Sequence, residues 1–262
     1  MGPVRAPQVD LTGSGRARDS RRSPMRRAVV QRWLVAFVPA AVLGGLAVAQ
    51  ATWAIRDWIL FAEDPNWTIA TESVRSALYA AFVFGCAFTL LSNKVPRMRD
   101  GRALVATAAL TASFLMLGFN VLPTGPILWK APGHVVEGGL VLTMIGAALA
   151  LTALGSIGSS FSIVPEARTL VVTGPYRLLR HPMYLAELLM LFGVVVGFVR
   201  LTTLVGAFGV AGLQIYRIHT EEKLLRGAFP ATFADFTART RFRLIPPLWW
   251  RLTLRSPLVG RE

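Results

Sequence analysis

The chain has 262 residues, of which 53% are hydrophobic and only 16% charged, with a mean hydropathy of +0.51. That excludes an ordinary soluble domain, which would hide its apolar residues in one core and cover them with charge. The net charge of +14 would suggest nucleic-acid binding on a soluble protein, but here its distribution follows a membrane rule, and no nucleic-acid partner is expected.

Residues 1–28, rich in Arg, Ser, Gly and Pro, are expected to form a disordered basic cytoplasmic tail. Residues 29–130 follow as a first set of three transmembrane helices. Uncharged runs cover Trp33–Ile55, Ser76–Asn93 and Ala103–Trp129, each long enough, or nearly so, to cross a hydrocarbon core of about 30 Å. The run from Trp33 is too long and too deeply placed for a cleaved signal peptide and is expected to stay as a helix. Pro123, Gly125, Pro126, Pro132 and Gly133 mark the loop before a fourth span at Gly138–Pro165. Met183–Tyr216 is long enough for two further crossings, with a tight hairpin near Arg200–Leu201 and interruptions at Glu187 and Arg200.

Strict apolar/polar alternation is absent, which disfavours a transmembrane barrel. The expected fold is therefore all-α, a polytopic membrane bundle of about six transmembrane helices with a cytoplasmic helical tail. Basic residues cluster in the N-terminal tail, around Lys94–Arg102, at Arg168–Arg180 and in the C-terminal tail. Acidic residues gather at Asp57–Glu72. This alternation places both termini in the cytoplasm, with Arg200 as the exception. Cys86 is the only cysteine, and the three histidines are far apart, so neither a disulfide nor a metal site is expected.

Residues 131–262 carry the chemistry. Thr173-Gly-Pro-Tyr-Arg-Leu-Leu-Arg-His-Pro-Met-Tyr184 packs Tyr176, Arg177, Arg180, His181 and Tyr184 around the entrance of the fifth helix, which begins near Pro182. A helix N-terminus with guanidinium groups suits a carboxylate or phosphate, although topology alone would also supply arginines there. Glu221 and Glu222 are expected just past the inner end of the sixth helix. A short antiparallel hairpin should bring them to the Arg180-His181 turn, where they could hold an ammonium or ribose hydroxyls, or simply form surface ion pairs with Lys223 and Arg226. Glu187 lies one turn inside the fifth helix, and an intramembrane acid is either functional or a structural partner of a neighbouring helix. Arg241 and Arg243 could hold an anionic acceptor or a lipid phosphate. Phe229, Phe233 and Phe236 suggest a helix lying on the membrane, with Trp249-Trp250 as an interfacial anchor.

Together, Gly174-Pro175-Tyr176-Arg177, Arg180-His181-Pro182-Met183-Tyr184 and the Glu221-Glu222 doublet resemble the isoprenylcysteine carboxyl methyltransferase and phospholipid methyltransferase superfamily of integral membrane enzymes. The resemblance covers about Ser156–Pro247. It implies S-adenosyl-L-methionine as cofactor and methyl transfer to a lipidic or lipophilic acceptor that approaches from the bilayer. It further implies cofactor contacts by Val172, Gly174, Tyr176, Arg180, His181, Tyr184, Glu221 and Glu222. Arg180, Glu187 and Arg241 are the candidates for catalysis.

Two positions depart from the family pattern. Ala186 stands where a glycine is frequent, and Phe233 and Phe236 replace tyrosines. Tyr184-Leu-Ala-Glu187 also matches an element of membrane sterol reductases, which would call for NADPH, and a non-catalytic membrane scaffold is the third alternative.

Overall fold

The computed structural model describes residues 19–92, 94, 96–121 and 126–244. Seven helices follow in chain order: α1 (Asp19–Glu63), α2 (Trp67–Leu91), α3 (Ala103–Val121), α4 (Gly133–Ile157), α5 (Pro182–Gly197), α6 (Leu201–Ala228) and α7 (Pro230–Arg239). Four of them supply segments long and apolar enough to cross a membrane: Phe37–Glu63, Trp67–Leu91, Gly133–Ser160 and Leu201–Ala228. Shorter apolar helices run over Ala103–Ser113 and Pro182–Gly197. The chain is thus an all-α, polytopic integral membrane protein.

Helix boundaries follow local chemistry. Asn66 caps α2 by accepting the Thr68 N–H at 2.8 Å, and Pro182 opens α5 at a position where its missing N–H costs nothing. Four boundaries differ from the sequence expectation. α1 begins at Asp19, within the stretch expected to be disordered, because arginine, methionine and alanine extend an established helix at little cost. The described part of α3 reaches Val121, and Ile127–Lys130, part of which was expected in the same span, is a strand instead. α4 ends at Ile157 rather than Pro165, turning at Gly158, whose φ of +50° suits a residue without Cβ. α6 runs on to Ala228, so Glu221 and Glu222 lie inside its last two turns rather than beyond them. The Glu-Glu-Lys-Leu-Leu-Arg run is strongly helix-forming.

Two small antiparallel ribbons, absent from the sequence expectation, tie the helix ends together. β1 (Met98–Arg99) pairs with β3 (Glu166–Ala167), and β2 (Ile127–Lys130) with β4 (Phe198–Arg200). The first ribbon stitches the α2–α3 connection to the α4–α5 connection. Lys94 N–H donates to the Ser159 carbonyl at 3.1 Å and Arg97 N–H to the Ala167 carbonyl at 2.7 Å. Glu166 closes it as an acid shared by Arg99 at 2.5 Å and Arg168 at 2.6 Å.

The main core joins α1, α2, α4 and α5 through residues such as Leu43, Phe82, Cys86, Leu154 and Met190. α5 and α6 share Leu191, Val195 and Val210, and near the α5 entrance Tyr184 and Ile218 pack with Leu244 from the segment after α7. Phe233 and Phe236 of α7 are buried in the protein, with Arg226 over the Phe233 ring. The aromatic face expected to lie on the membrane is spent on internal packing instead. Trp249 and Trp250 lie outside the described residues.

Candidate active site

The entrance of α5 and the last turns of α6 meet, because a three-residue strand returns the chain antiparallel. His181 Nε2 lies 3.3 Å and Arg180 Nη1 3.4 Å from Glu222 Oε1. One residue earlier on α6, Glu221 accepts the Tyr184 hydroxyl at 2.8 Å. The two neighbouring acids differ in what they do. Glu222 is 3% exposed and is saturated: besides Arg180 and His181 it receives Arg243, through Nε at 3.0 Å and Nη2 at 2.5 Å. Glu221 instead lines a pocket.

That pocket is walled by Ile157, Ser160, Phe161, Ser162, Pro165 and Glu166 on one side. The other side is formed by Tyr176, His181, Met183, Tyr184, Glu187, Arg217 and Glu221. Its empty volume, open mouth included, is about 500 Å³, but the enclosed space is much smaller than that of a usual small-molecule site. Tyr176 and Tyr184 bring neutral hydroxyls to the pocket. Burial first, and then the charges of Glu221 and Glu187, push the Tyr176 hydroxyl well above its ordinary pKa.

Of the expected cofactor contacts, Tyr176, His181, Tyr184 and Glu221 line this pocket, and so does Glu187 among the catalytic candidates. The others point elsewhere. Val172 is exposed. Gly174 holds a φ of +57° against Ser156, a backbone role. Arg180 clamps the end of α7 and the residues after it through the carbonyls of Thr240 at 2.7 Å, Thr237 at 3.3 Å and Arg241 at 3.2 Å. Burial lowers its pKa from the usual arginine value, and Glu222 opposes that shift. Arg241 contributes its carbonyl to the clamp while its side chain is exposed.

The anion receptor expected at this turn is likewise filled from within. Arg180 N–H donates to the Phe242 carbonyl at 2.9 Å and His181 N–H to the Arg243 carbonyl at 3.0 Å. A corner read as a ligand receptor is therefore mainly a latch for the chain's own tail, because buried N–H groups take the nearest carbonyl on offer.

Two residues missed in the sequence, Arg217 and Gln214, complete the site, together with Arg243. Arg217 places its guanidinium 4.9 Å from the Tyr184 ring centroid and 3.8 Å from Glu187, and Gln214 bonds both Glu187 and Arg217. Arg243 balances Glu222. The signal for Arg217 was present: it stands one helical turn before Glu221, so both share a face of α6. Among the described residues, no group of three or more His, Cys, Asp or Glu gathers as metal ligands.

A family comparison covers this region. Residues 135–232 match the phospholipid methyltransferase family. The match spans α4 through the first residues of α7 and so includes every pocket residue named above. A curated relative, the cobalt-zinc-cadmium resistance protein CzcN of Cupriavidus metallidurans, is 36% identical over 117 residues. That alignment covers 44% of this chain and 50% of the relative, so the chain spans about half the length of the curated relative it matches. The phospholipid methyltransferase match agrees with the superfamily resemblance read from Gly174–Tyr184 and Glu221-Glu222.

Proposed function

We infer that the protein is a methyltransferase that takes S-adenosyl-L-methionine at the α5–α6 pocket and passes its methyl group to a lipophilic acceptor from the bilayer. The observation that carries this is the pocket's position. Its polar walls, Tyr176, His181, Tyr184 and Glu221, sit within the family-matching segment at the ends of two membrane helices. The donor set suits the cofactor. Glu221 accepts the Tyr184 hydroxyl and can also receive an ammonium or ribose hydroxyls. Phe161 and Tyr176 offer apolar faces to a purine.

The bound cofactor would supply a methyl group already activated on a sulfonium, so the protein's part is alignment and exclusion of water, worth roughly 7–11 kcal/mol of a barrier. The space inside the pocket open to a water-sized sphere is about 50 Å³. A nucleoside therefore enters only if the pocket widens. The alternation of charge along the sequence supports placing this end of the bundle, and both termini, in the cytoplasm.

Titration of the detergent-solubilised protein with S-adenosylhomocysteine tests the assignment. Wild type is expected to bind it, and Glu221→Gln to weaken binding by about 10- to 100-fold, the worth of a charged hydrogen bond. Binding of NADPH with no binding of S-adenosylhomocysteine would reverse the choice in favour of a reductase. Equal affinity in Glu221→Gln would remove the carboxylate from the cofactor site.

A further inference from the structure

Arg217 is 4% exposed, lines the pocket, and keeps its Nε–H without a hydrogen-bond partner. Its other nitrogens are engaged: Nη1 with the Gln214 side-chain oxygen and Nη2 with the Ile163 carbonyl, both at 3.0 Å. Glu187 faces it from α5 at 3.8 Å, also lines the pocket, and takes the Gln214 amide. A buried acid–base pair within membrane helices is expensive, and a free N–H beside it adds to the cost. A ligand atom that accepts from Arg217 Nε would remove part of that cost.

We propose that Glu187 and Arg217 receive the acceptor, and that the acceptor is a protic oxygen or sulfur nucleophile on an apolar body, a thiol or a phenol-type hydroxyl. This rests on the methyl-transfer function proposed for the same pocket. Charge conservation selects the class. The Glu187–Arg217 pair is neutral, so an uncharged X–H group enters without adding charge to a low-dielectric site. When its proton passes to Glu187, that acid becomes neutral and the new anion takes its place beside Arg217. The net charge stays at zero throughout. A carboxylate would add a negative charge beside Glu187, and an ammonium a positive one beside Arg217, each with an uncompensated desolvation cost. The bonds balance in the same way: X–H breaks and Glu187 gains the proton, X–CH3 forms, and the electron pair of the broken S–CH3 bond stays on the donor sulfur. Glu221, on the other wall, remains to balance the cofactor's net positive charge.

Binding to the protein without cofactor provides the first test. A dodecyl-substituted nitrophenol, whose ionised form has its own visible absorbance, is expected to bind wild type as the phenolate. The double variant Glu187→Gln/Arg217→Gln removes both charges together, leaving no unpaired ion to unfold the helices. It is expected to bind the phenolate at least about tenfold more weakly while holding the corresponding uncharged methyl ether as wild type does. In the transfer reaction, Glu187→Gln is expected to slow methylation of dodecanethiol by about 100-fold or more. An alkylated nitrothiophenol, already ionised, should recover most of that loss, which a structural role for Glu187 would not produce.

Equal phenolate binding by wild type and the double variant overturns the proposal, as does absence of phenolate binding. Preference for dodecylamine or dodecanoate does the same. Each of these results leaves S-adenosylhomocysteine binding intact, whereas loss of that binding in wild type overturns the cofactor assignment instead.

Discussion

Glu222→Ala is expected to destabilise the protein by about 3–5 kcal/mol, the cost of leaving buried charge without its counter-ion. The carboxylate is 3% exposed and stands among Arg180, His181 and Arg243. Arg243 is itself 8% exposed and has an unpartnered Nη1 already, so removing Glu222 leaves it with no salt-bridge partner among the described residues. Arg180 retains three carbonyls and suffers less. Glu222→Gln should fall between wild type and alanine, since it keeps one acceptor and the side-chain shape.

Thermal melting and limited proteolysis of the solubilised protein read the effect, with cleavage expected first after α7, where Arg243 no longer has Glu222 to hold it in place. The double variant Glu222→Ala/Arg243→Ala should lose less than the sum of its parts, by a coupling of about 0.5–3 kcal/mol. A fully additive double variant, or a single variant that melts like wild type, would mean that the carboxylate does not balance these cations.

The contrast between Glu222 and Glu221 marks how far the sequence could be read. The Arg180-His181 corner and the Glu221-Glu222 doublet were recognisable as one constellation, and they do come together. Their division of labour was not recognisable. Neighbouring residues on a helix point about 100° apart, so one acid faces the pocket while the other faces the tail, and only the register of α6 against α5 decides which. Arg243 could not be assigned from its local pattern, because it meets Glu222 from 21 residues away along the chain.

The six apolar helices were visible as uncharged runs, since a bilayer demands length and apolarity and little else. The ribbons were invisible for the opposite reason. Strands of two to four residues carry no measurable alternation, and the β1–β3 pairing joins residues nearly seventy positions apart. That ribbon is nonetheless what brings the first half of the chain, outside the family-matching segment, up to the pocket wall at Glu166.

Gly193→Leu is expected to force α4 and α5 apart, costing at least the 1–3 kcal/mol typical of overpacking and disordering the pocket as well. The two helices touch through their backbones. A Cβ on Gly193 would run into the Gly139 carbonyl and the Thr143 hydroxyl. One on Gly139 would come within 2.6 Å of the Gly193 carbonyl, and one on Gly146 within 2.9 Å of the Ala186 carbonyl and the Met190 nitrogen. Thr143 fits in the same seam, donating its hydroxyl to the Gly139 carbonyl at 2.9 Å. In a membrane, where lipid is as apolar as leucine, such close approach supplies the association that burial supplies in water, so nothing else compensates for its loss.

α5 also carries Tyr184 and Glu187, and moving it breaks their contacts with Glu221 and Gln214. Affinity for S-adenosylhomocysteine should therefore fall together with the melting temperature. Gly209→Leu on α6, where an added Cβ meets nothing within 4 Å, is the matched control and should leave both unchanged. If the two glycine variants behave alike, close backbone contact between α4 and α5 is not what holds the pocket-bearing half of the bundle together.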